Sequence, residues 1–246
     1  MRRPGHLAVA AALLLSGCAV HDRALAPAGP TPARSGFTRS SHPVPSVVFP
    51  AHSATATVAS VGVYAAPHGR VEMRLANPRA YGAPLVFLVV AQQPGWVEVQ
   101  LPVRPNGSTG WVPAAQVRIA GVAYRLDVLR AEHRLKVYRF GALVASFPVG
   151  IGTRETPTPG GTFYLMELLR PPRSDGPYGP YAYGLSGFSN VLRTFGSGDG
   201  VIGLHGTDHP ELVGKDVSHG CIRMRNADIT RLVRLLPLGT PVRILA

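Results

Sequence analysis

Apolar residues along much of this chain recur with the period of a β-strand. Val97, Val99 and Leu101 alternate with polar residues, as in a strand that buries one face. Short apolar segments separated by turn residues continue from residue 54 to residue 120, and the pair Asn106-Gly107 is typical of a hairpin turn. This part of the chain is therefore predicted to form a set of short strands.

The pattern stays mostly β after residue 122. Alternating apolar residues occupy three successive predicted strands, and they are Leu126, Val128, Leu135, Val137, Leu143, Ala145 and Phe147. Asn226 is predicted to cap a helix, with a closing strand at 242–245. The apolar residues of that helix recur at helical spacing and are Ile229, Leu232, Val233 and Leu236. The chain is therefore predicted to be mainly β with one short C-terminal helix.

Composition narrows the class of protein further. The 28 glycines and 24 prolines among 246 residues favour turns over long helices. At about 150 residues per domain, the length fits two modest domains or one large one. The net charge of +12 arises from 25 basic residues against 13 acidic ones and favours an anionic partner. No run of five like charges and no aromatic-rich basic strand occurs, so nucleic acid is not an expected partner.

The N-terminus has the features of an export signal. Two arginines precede an apolar run, Leu7–Leu15, of signal-peptide length. The run ends in Leu15-Ser16-Gly17-Cys18, which resembles the lipobox of bacterial lipoproteins. The resemblance implies a signal peptide at 1–17, lipidation of Cys18, and an exported protein anchored to the membrane of the cell envelope and facing the wall. Residues 18–53 are predicted to be a flexible linker, and an ordinary signal peptide with a chance cysteine is the alternative.

The other cysteine, Cys221, is the main candidate for chemistry. If Cys18 is lipidated, Cys221 has no intramolecular partner in an exported protein, where thiols usually pair. A thiol with a pKa near 8.5 needs an adjacent base or cation to act as a nucleophile, and a histidine suits that task. His205 lies upstream, and twelve residues separate it from the segment 218–224, which contains His219 and Cys221. The sequence therefore predicts a cysteine and histidine site.

These segments are similar to a known family. The pair His205-Gly206-Thr207 and Ser218-His219-Gly220-Cys221-Ile222-Arg223-Met224 resembles the signature of the L,D-transpeptidase catalytic domain of the YkuD type. Upstream, the segments 150–152, 156–163 and 181–189 resemble other parts of the same domain. The resemblance covers residues 123–246 and implies a β-sandwich-like catalytic domain.

The family assigns a role to each matching position. It implies that Cys221 is the nucleophile and that His205, rather than His219, is the base. The carbonyl of Gly206 is the implied third member of the catalytic group, with Thr207 as a weaker candidate for it. The remaining implied roles are oxyanion stabilisation by the backbone N–H groups of Gly220 and Cys221, support of the loop by Ser218 and His219, and substrate binding by Arg223, Tyr181 and Ser186.

The resemblance also implies an activity. A peptidoglycan L,D-transpeptidase forms a thioester with a tetrapeptide stem, releases D-Ala, and passes the stem to the side-chain amine of a second stem as a 3→3 cross-link. Attack by water would instead make the protein an L,D-carboxypeptidase, and a non-catalytic wall-binding lipoprotein is a further alternative. Peptidoglycan stem peptides are the implied partners, carbapenem β-lactams the implied covalent inhibitors, and no cofactor or metal is implied.

The middle of the chain resembles a second module. Val63-Tyr64, Gly95-Trp96-Val97 and Gly110-Trp111-Val112 occur in the order found in bacterial SH3-like barrels. The predicted fold is thus a small SH3-like β-barrel at 54–120, followed by the YkuD-type domain with its short C-terminal helix.

Two other kinds of site are compatible with some of these residues. Four zinc ligands are available in His205, His209, His219 and Cys221, but helical presentation of the first two is doubtful across Gly206. A cell-wall cysteine amidase also pairs an SH3-like module with cysteine and histidine, but its cysteine usually precedes the histidine. Both interpretations therefore rank below the transpeptidase.

Overall fold

The structure, a computed structural model, describes residues 50–194 and 198–246. The predicted signal peptide at 1–17, Cys18 and the linker up to residue 49 lie outside the described residues. None of the helices in the described part is long and apolar enough to cross a membrane.

The first part of the described chain is a sheet of seven strands, which are β1 (Ala51–Ala56), β2 (Ser60–Tyr64), β3 (Val71–Ala76), β4 (Val86–Gln93), β5 (Trp96–Gln100), β6 (Thr109–Pro113) and β7 (Val117–Val122). Their order is β3-β2-β6-β5-β4-β1-β7, and every neighbouring pair is antiparallel. The predicted hairpin joins β5 to β6, and Gly107 at its turn has a φ of 84°, which suits glycine. The first strand begins at Ala51, three residues before the predicted start of this module.

The second part is also built mainly of strands. They are β8 (Tyr124–Leu129), β9 (Arg134–Arg139), β10 (Ala142–Pro148), β11 (Ile151–Gly152), β12 (Gly161–Leu169), β13 (Ala182–Phe188), β14 (Val201–His205), β15 (Asp216–Ser218), β16 (Ile222–Arg223) and β17 (Pro241–Leu245). Eight of these make one sheet in the order β10-β9-β8-β17-β12-β13-β14-β16, while β11 pairs with β15. One α-helix, α1 (Asn226–Val233), occurs among the described residues. The prediction of a mainly β fold with one short C-terminal helix is confirmed.

The strand β14 has a partner strand on each side. It pairs antiparallel with β13 and parallel with β16. Ile202 and Leu204 of β14, Ile222 of β16 and Ile229 of α1 are buried in one apolar core. Burial of four such side chains stabilises the fold by about 1.5–3 kcal/mol each, so the backbone of β14 and its neighbours is held firmly.

The predicted helix cap is corrected by the structure. Arg225, not Asn226, occupies the N-cap position, and it makes no side-chain capping bond. Asn226 is the first helical residue, and its Oδ1 accepts a hydrogen bond from the backbone N–H of Thr207 at 2.8 Å. The side chain that suits a cap is therefore used to attach the helix to the loop after β14.

The two sheets pack directly against each other. Ala51, Leu88 and Val122 of the first sheet form a small apolar cluster with Tyr164 and Met166 of β12. In addition, Nε2 of Gln100 donates to the carbonyl oxygen of Thr162 at 2.6 Å. The first sheet is thus in contact with the sheet that contains β14.

Candidate active site

His205 is the last residue of β14, and the neighbouring strand fixes its backbone. It stands opposite Arg223 in the parallel pairing with β16, and its carbonyl oxygen accepts from the N–H of Met224 at 2.8 Å. Its side chain is only 3% exposed. The imidazole is therefore held in the protein interior, at the edge of the core.

One ring nitrogen of His205 is committed to the backbone. Nδ1 lies 2.6 Å from the carbonyl oxygen of Gly206. Because a carbonyl can only accept, Nδ1 carries the proton and donates, which leaves the lone pair on Nε2. This is the arrangement a general base needs, and the carbonyl of Gly206 is the group that orients it.

The loop that carries this carbonyl is held on both sides. The N–H of Gly206 donates to the carbonyl oxygen of Tyr181 at 3.2 Å, and the next N–H, that of Thr207, donates to Asn226. The hydroxyl of Thr207 accepts from the N–H of His209 at 3.0 Å. Thr207 therefore shapes the loop, and the geometry favours Gly206 as the third member of the group.

Cys221 lies between β15 and β16, directly before the strand β16 that pairs with β14. Its thiol is free and half-buried, and Sγ accepts from the N–H of Gly203 at 3.3 Å. A Cβ placed on Gly203 would lie 3.2 Å from Cδ2 of His205 and 3.6 Å from Sγ of Cys221. Both reactive groups therefore border the same glycine, and a larger residue there would crowd them.

The surroundings shift both titrating groups towards their neutral forms. Burial lowers the pKa of His205 to about 4, against a weaker opposite effect of its bond to Gly206, while the charge of Arg223 lowers it further. Burial raises the pKa of Cys221, although the N–H of Gly203 and the charge of Arg223 partly offset this. At neutral pH the resting pair is therefore a thiol and a neutral imidazole.

A tight turn presents the thiol. Gly220 has a φ of 117°, which L-residues rarely adopt, and its N–H donates to Oγ of Ser218 at 3.1 Å. The same hydroxyl donates to the carbonyl oxygen of Cys221 at 2.5 Å. Ser218 thus bonds to both ends of this turn, and the N–H of Gly220 is engaged within the turn.

The segment before β12 forms hydrogen bonds to the backbone of this turn. Thr158 is buried, and its hydroxyl donates to the carbonyl oxygen of Gly220 at 2.9 Å while accepting from the N–H of Gly152 at 2.9 Å. Thr156 donates to the carbonyl oxygen of Ser218 at 3.2 Å. The threonines of the 156–163 segment therefore have a structural task that sequence reasoning did not assign.

The reactive groups open into a cavity of about 210 Å³. The candidate catalytic residues and their neighbours line it, and these are His205, Cys221, Arg223, His219, Ser218 and Tyr178. Ser189, Leu192, Gly200 and Val201 also line it. A cavity of this volume holds a small part of a larger ligand rather than the whole of it.

Two predicted substrate-binding residues are corrected. Tyr181 packs on the core with Arg170 5.5 Å above its ring, and Ser186 is buried with its hydroxyl accepting from the N–H of Tyr164 at 3.1 Å. Neither lines the cavity, because Ser186 is buried within β13 and Tyr181, just before that strand, packs against the core. Arg223 and the exposed His219 do line it.

Tyr178 is the unpredicted cavity residue that contacts His205. Its ring packs edge-on against the imidazole of His205, with centroids 5.0 Å apart. It precedes β13 in a loop with no strand or helix pattern, so nothing in the periodicity marks it. Tyr178 covers the imidazole and contributes to the burial that lowers the pKa of His205.

The alternative zinc site is not assembled in the described residues. Across 50–194 and 198–246, no three His, Cys, Asp or Glu side chains are grouped so as to hold a metal ion. His209 lies at the surface, where Nδ1 is 3.1 Å from Oε1 of Glu211. His209 does not line the cavity that His205 borders.

Comparisons with known proteins agree with this geometry. A family model described as the L,D-transpeptidase catalytic domain, YkuD, matches residues 123–244. A protein of Bacillus licheniformis named as an L,D-transpeptidase YkuD is 34% identical over 151 residues, which is 58% of this chain and 83% of the relative. Its namesake in Bacillus subtilis is 31% identical over 150 residues, with the same coverage.

A solved structure is also similar. It is L,D-transpeptidase 3 from Mycobacterium tuberculosis in complex with a faropenem-derived adduct, at 18% identity and a TM-score of 0.43. The match covers 58% of this chain and 76% of that one.

Proposed function

The chain belongs to the YkuD-type L,D-transpeptidase family, and on that basis we propose that it is a peptidoglycan L,D-transpeptidase with Cys221 as nucleophile and His205 as base. The observation that carries the proposal is the placement of the two groups. The thiol and the imidazole border one cavity, and Nδ1 of His205 is fixed by Gly206. Nε2 is thereby left to take a proton.

The first half-reaction acylates the enzyme. Nε2 of His205 takes the thiol proton as Sγ of Cys221 attacks the carbonyl carbon on the L-centre of the diamino acid in a tetrapeptide stem. The C–N bond to the terminal D-Ala then breaks, and the imidazolium gives its proton to the departing amine. The products are free D-Ala and a thioester on Cys221.

The second half-reaction transfers the stem. The side-chain amine of another stem attacks the thioester carbonyl and passes a proton to His205. The C–S bond breaks and Cys221 regains its proton, which leaves a 3→3 cross-link. The thioester conserves the free energy of the cleaved peptide bond, so the exchange needs no nucleotide.

The negative charge that develops on the carbonyl oxygen in the transition state needs a hydrogen-bond donor nearby. We assign oxyanion stabilisation to the N–H of Cys221, since the N–H of Gly220 already donates to Ser218. Loss of one such donor typically costs about 3 kcal/mol of transition-state stabilisation. Arg223 lines the cavity and is suited to a carboxylate of the stem.

A covalent probe tests the nucleophile and the base together. The full chain is incubated with imipenem, whose strained lactam carbonyl presents an acylable group, and intact mass is followed over time. The wild type is expected to gain one adduct and Cys221→Ala none. His205→Ala should acylate about 10²- to 10⁴-fold more slowly, whereas His219→Ala, the matched control in the same cavity, should stay within a factor of about ten.

The products formed from a disaccharide-tetrapeptide show whether the acceptor is the amine of a second stem or water. A dimer lighter by one D-Ala supports cross-linking, and a tripeptide product alone would make the protein an L,D-carboxypeptidase. A folded, reduced wild type that gains no adduct and turns over neither substrate would overturn the proposal in favour of a non-catalytic wall-binding lipoprotein.

We propose in addition that Cys18 carries a lipid anchor and that the first sheet is an SH3-like wall-binding module. The supports are the sequence Leu15-Ser16-Gly17-Cys18 and the order of the Gly-Trp-Val segments. Detergent phase partitioning of the wild type and Cys18→Ala tests the anchor, which predicts that only the variant moves to the aqueous phase. Unchanged binding to purified sacculi after removal of 54–120 would contradict the wall-binding role.

A further inference from the structure

We propose that Arg104 and Asn106, in the loop between β5 and β6, are positioning residues for the part of the cavity wall that includes Ser189, Leu192 and Gly200. We call the described residues 188–192 and 199–200 the far wall. The inference rests on the proposed function, because it concerns how that reaction binds its substrate. It would make the first sheet a working part of the active site.

Arg104 binds the far wall at three points. Nη1 donates to the carbonyl oxygen of Ser189 at 2.7 Å, and Nη2 donates to those of Leu192 and Asp199 at 3.1 and 2.9 Å. The guanidinium carbon also lies 4.8 Å from the ring centre of Phe188. A planar guanidinium can donate in several fixed directions at once, and hydrogen bonds from a charged donor are stronger than neutral ones. One side chain therefore joins both segments of the far wall.

Asn106 binds the residue just before Ser189. Its Nδ2 donates to the carbonyl oxygen of Phe188 at 2.7 Å, and its Oδ1 accepts from the N–H of Phe188 at 2.9 Å. This is the pairing that a neighbouring strand would provide. The loop thus continues the sheet contacts of β13 at the point where that strand ends.

The far wall itself is tightly folded. Oγ of Ser189 accepts from the N–H groups of Val191 and Leu192, at 3.2 and 3.0 Å, and the N–H of Ser189 donates to the carbonyl oxygen of Gly200. Gly200 has a φ of 74°, and a Cβ there would lie 3.1 Å from Nη2 of Arg104. The arginine is therefore packed into the wall rather than laid on its surface.

The contacts of Arg104 are expected to affect substrate binding and not the chemical step. Ser189, Leu192 and Gly200 line the same cavity as Cys221, but none of them supports the thiol or the imidazole. Removal of the contacts from Arg104 should therefore loosen substrate binding and leave the chemistry of Cys221 and His205 intact. Such a change raises KM more than it lowers kcat.

The experiment compares the full-length wild type with Arg104→Gln, Arg104→Lys and Asn106→Asp. Arg74→Gln is the matched control, since Arg74 is exposed on β3 of the same sheet. Four quantities are measured: kcat and KM on a disaccharide-tetrapeptide, the rate of Cys221 alkylation by iodoacetamide, and amide hydrogen exchange at Val191 and Leu192.

Arg104→Gln is expected to raise KM about tenfold, with faster exchange at both amides and an unchanged alkylation rate. Arg104→Lys should be intermediate, because a lysine keeps the charge but cannot reach three carbonyls in a fixed plane. Asn106→Asp keeps the acceptor and loses the donor, so it should give a smaller effect of the same kind. Arg74→Gln should match the wild type.

Unchanged KM and unchanged exchange in a folded Arg104→Gln, beside an active wild type, would overturn the proposal. A fall in kcat with a slower alkylation rate would overturn it too, because the residue would then act on the chemistry. If the wild type itself processes no stem peptide, the proposed function fails, and the exchange at Val191 and Leu192 still decides whether Arg104 holds the wall. If Arg104→Gln does not fold, Asn106→Asp provides the same test.

Discussion

The low pKa of His205 predicts a specific loss of stability in mild acid. Burial lowers that pKa to about 4 from the ordinary 6.5. Between these two values the unfolded chain binds a proton at this position that the folded protein does not. Unfolding is therefore coupled to proton uptake, and stability falls as the pH falls. The contribution of His205 is fully present above pH 6.5 and is lost by about pH 4.

The size of the effect follows from the two values. Linkage gives a loss of about 2 kcal/mol between pH 7 and pH 5, and about 3 kcal/mol between pH 7 and pH 4. His205→Gln removes the titrating group, so its stability should fall less over the same range. The difference between the two slopes isolates His205 from the carboxylates, which titrate in both proteins.

The assay is urea unfolding followed by far-UV circular dichroism at several pH values from 7 to 4, because Trp96 and Trp111 both lie in the first sheet and would report mainly on that sheet. Tyr178→Ala provides a second check, because it uncovers the imidazole and should move the pKa of His205 back towards 6.5. Tyr81→Ala is its control, since Tyr81 is 86% exposed and does not line the cavity. Parallel curves for the wild type and His205→Gln would refute the argument from burial.

Two further predictions concern the residues that hold the site in place. Gly220→Ala should cost about 1–3 kcal/mol of stability and slow acylation, because the new Cβ needs a φ near 117° and lies 3.1 Å from Cδ1 of Ile202. Gly214→Ala is the control in thermal melts and acylation rates, as it shares the positive φ but has nothing within 4 Å of its Cβ, and an equal loss of acylation there would contradict the reasoning. Asn226→Ala should cost about 1–3 kcal/mol by leaving the N–H of Thr207 without its acceptor, and it should slow acylation at neutral pH. Asn226→Asp keeps the acceptor and should restore most of the rate, so equal rates for the two variants would exclude a positioning role.

The chemical residues of this site could be predicted because they lie in short segments. His205 and Cys221 stand beside glycines in two runs that identify the family, and adjacent strands β14 and β16 bring those runs together. The β character was predictable for a similar reason, since alternation of apolar residues is local. Neither inference needed to know which parts of the chain meet.

The supporting contacts could not be predicted in this way. Arg104 and Ser189 are 85 positions apart, and Asn106 in front of a glycine looks like an ordinary turn residue. Asn226 looks like a helix cap, but its side chain reaches Thr207 across 19 positions instead. In β13, buried side chains on both faces leave no alternation to show which residues meet the cavity. The roles of Tyr181 and Ser186 came from the family resemblance alone, which gave no indication of Tyr178.

Because His205 and Cys221 are both neutral at rest, the contacts around them fix the positions of the two side chains and do not, on balance, stabilise their charged forms. A preformed thiolate would need a raised histidine pKa and a lowered cysteine pKa, and burial acts in the opposite direction on both groups. In the proposed reaction the proton therefore moves during attack, which requires Nε2 of His205 to be correctly aimed at that moment. Three features fix the positions of the imidazole and the thiol. They are the hydrogen bond from Nδ1 to Gly206, the bond between Thr207 and Asn226, and the turn at Gly220. A base with a pKa near 4 is weak, so its geometry has to compensate for its basicity, and substitutions that displace the imidazole should lower the rate more than those that change the surrounding charge.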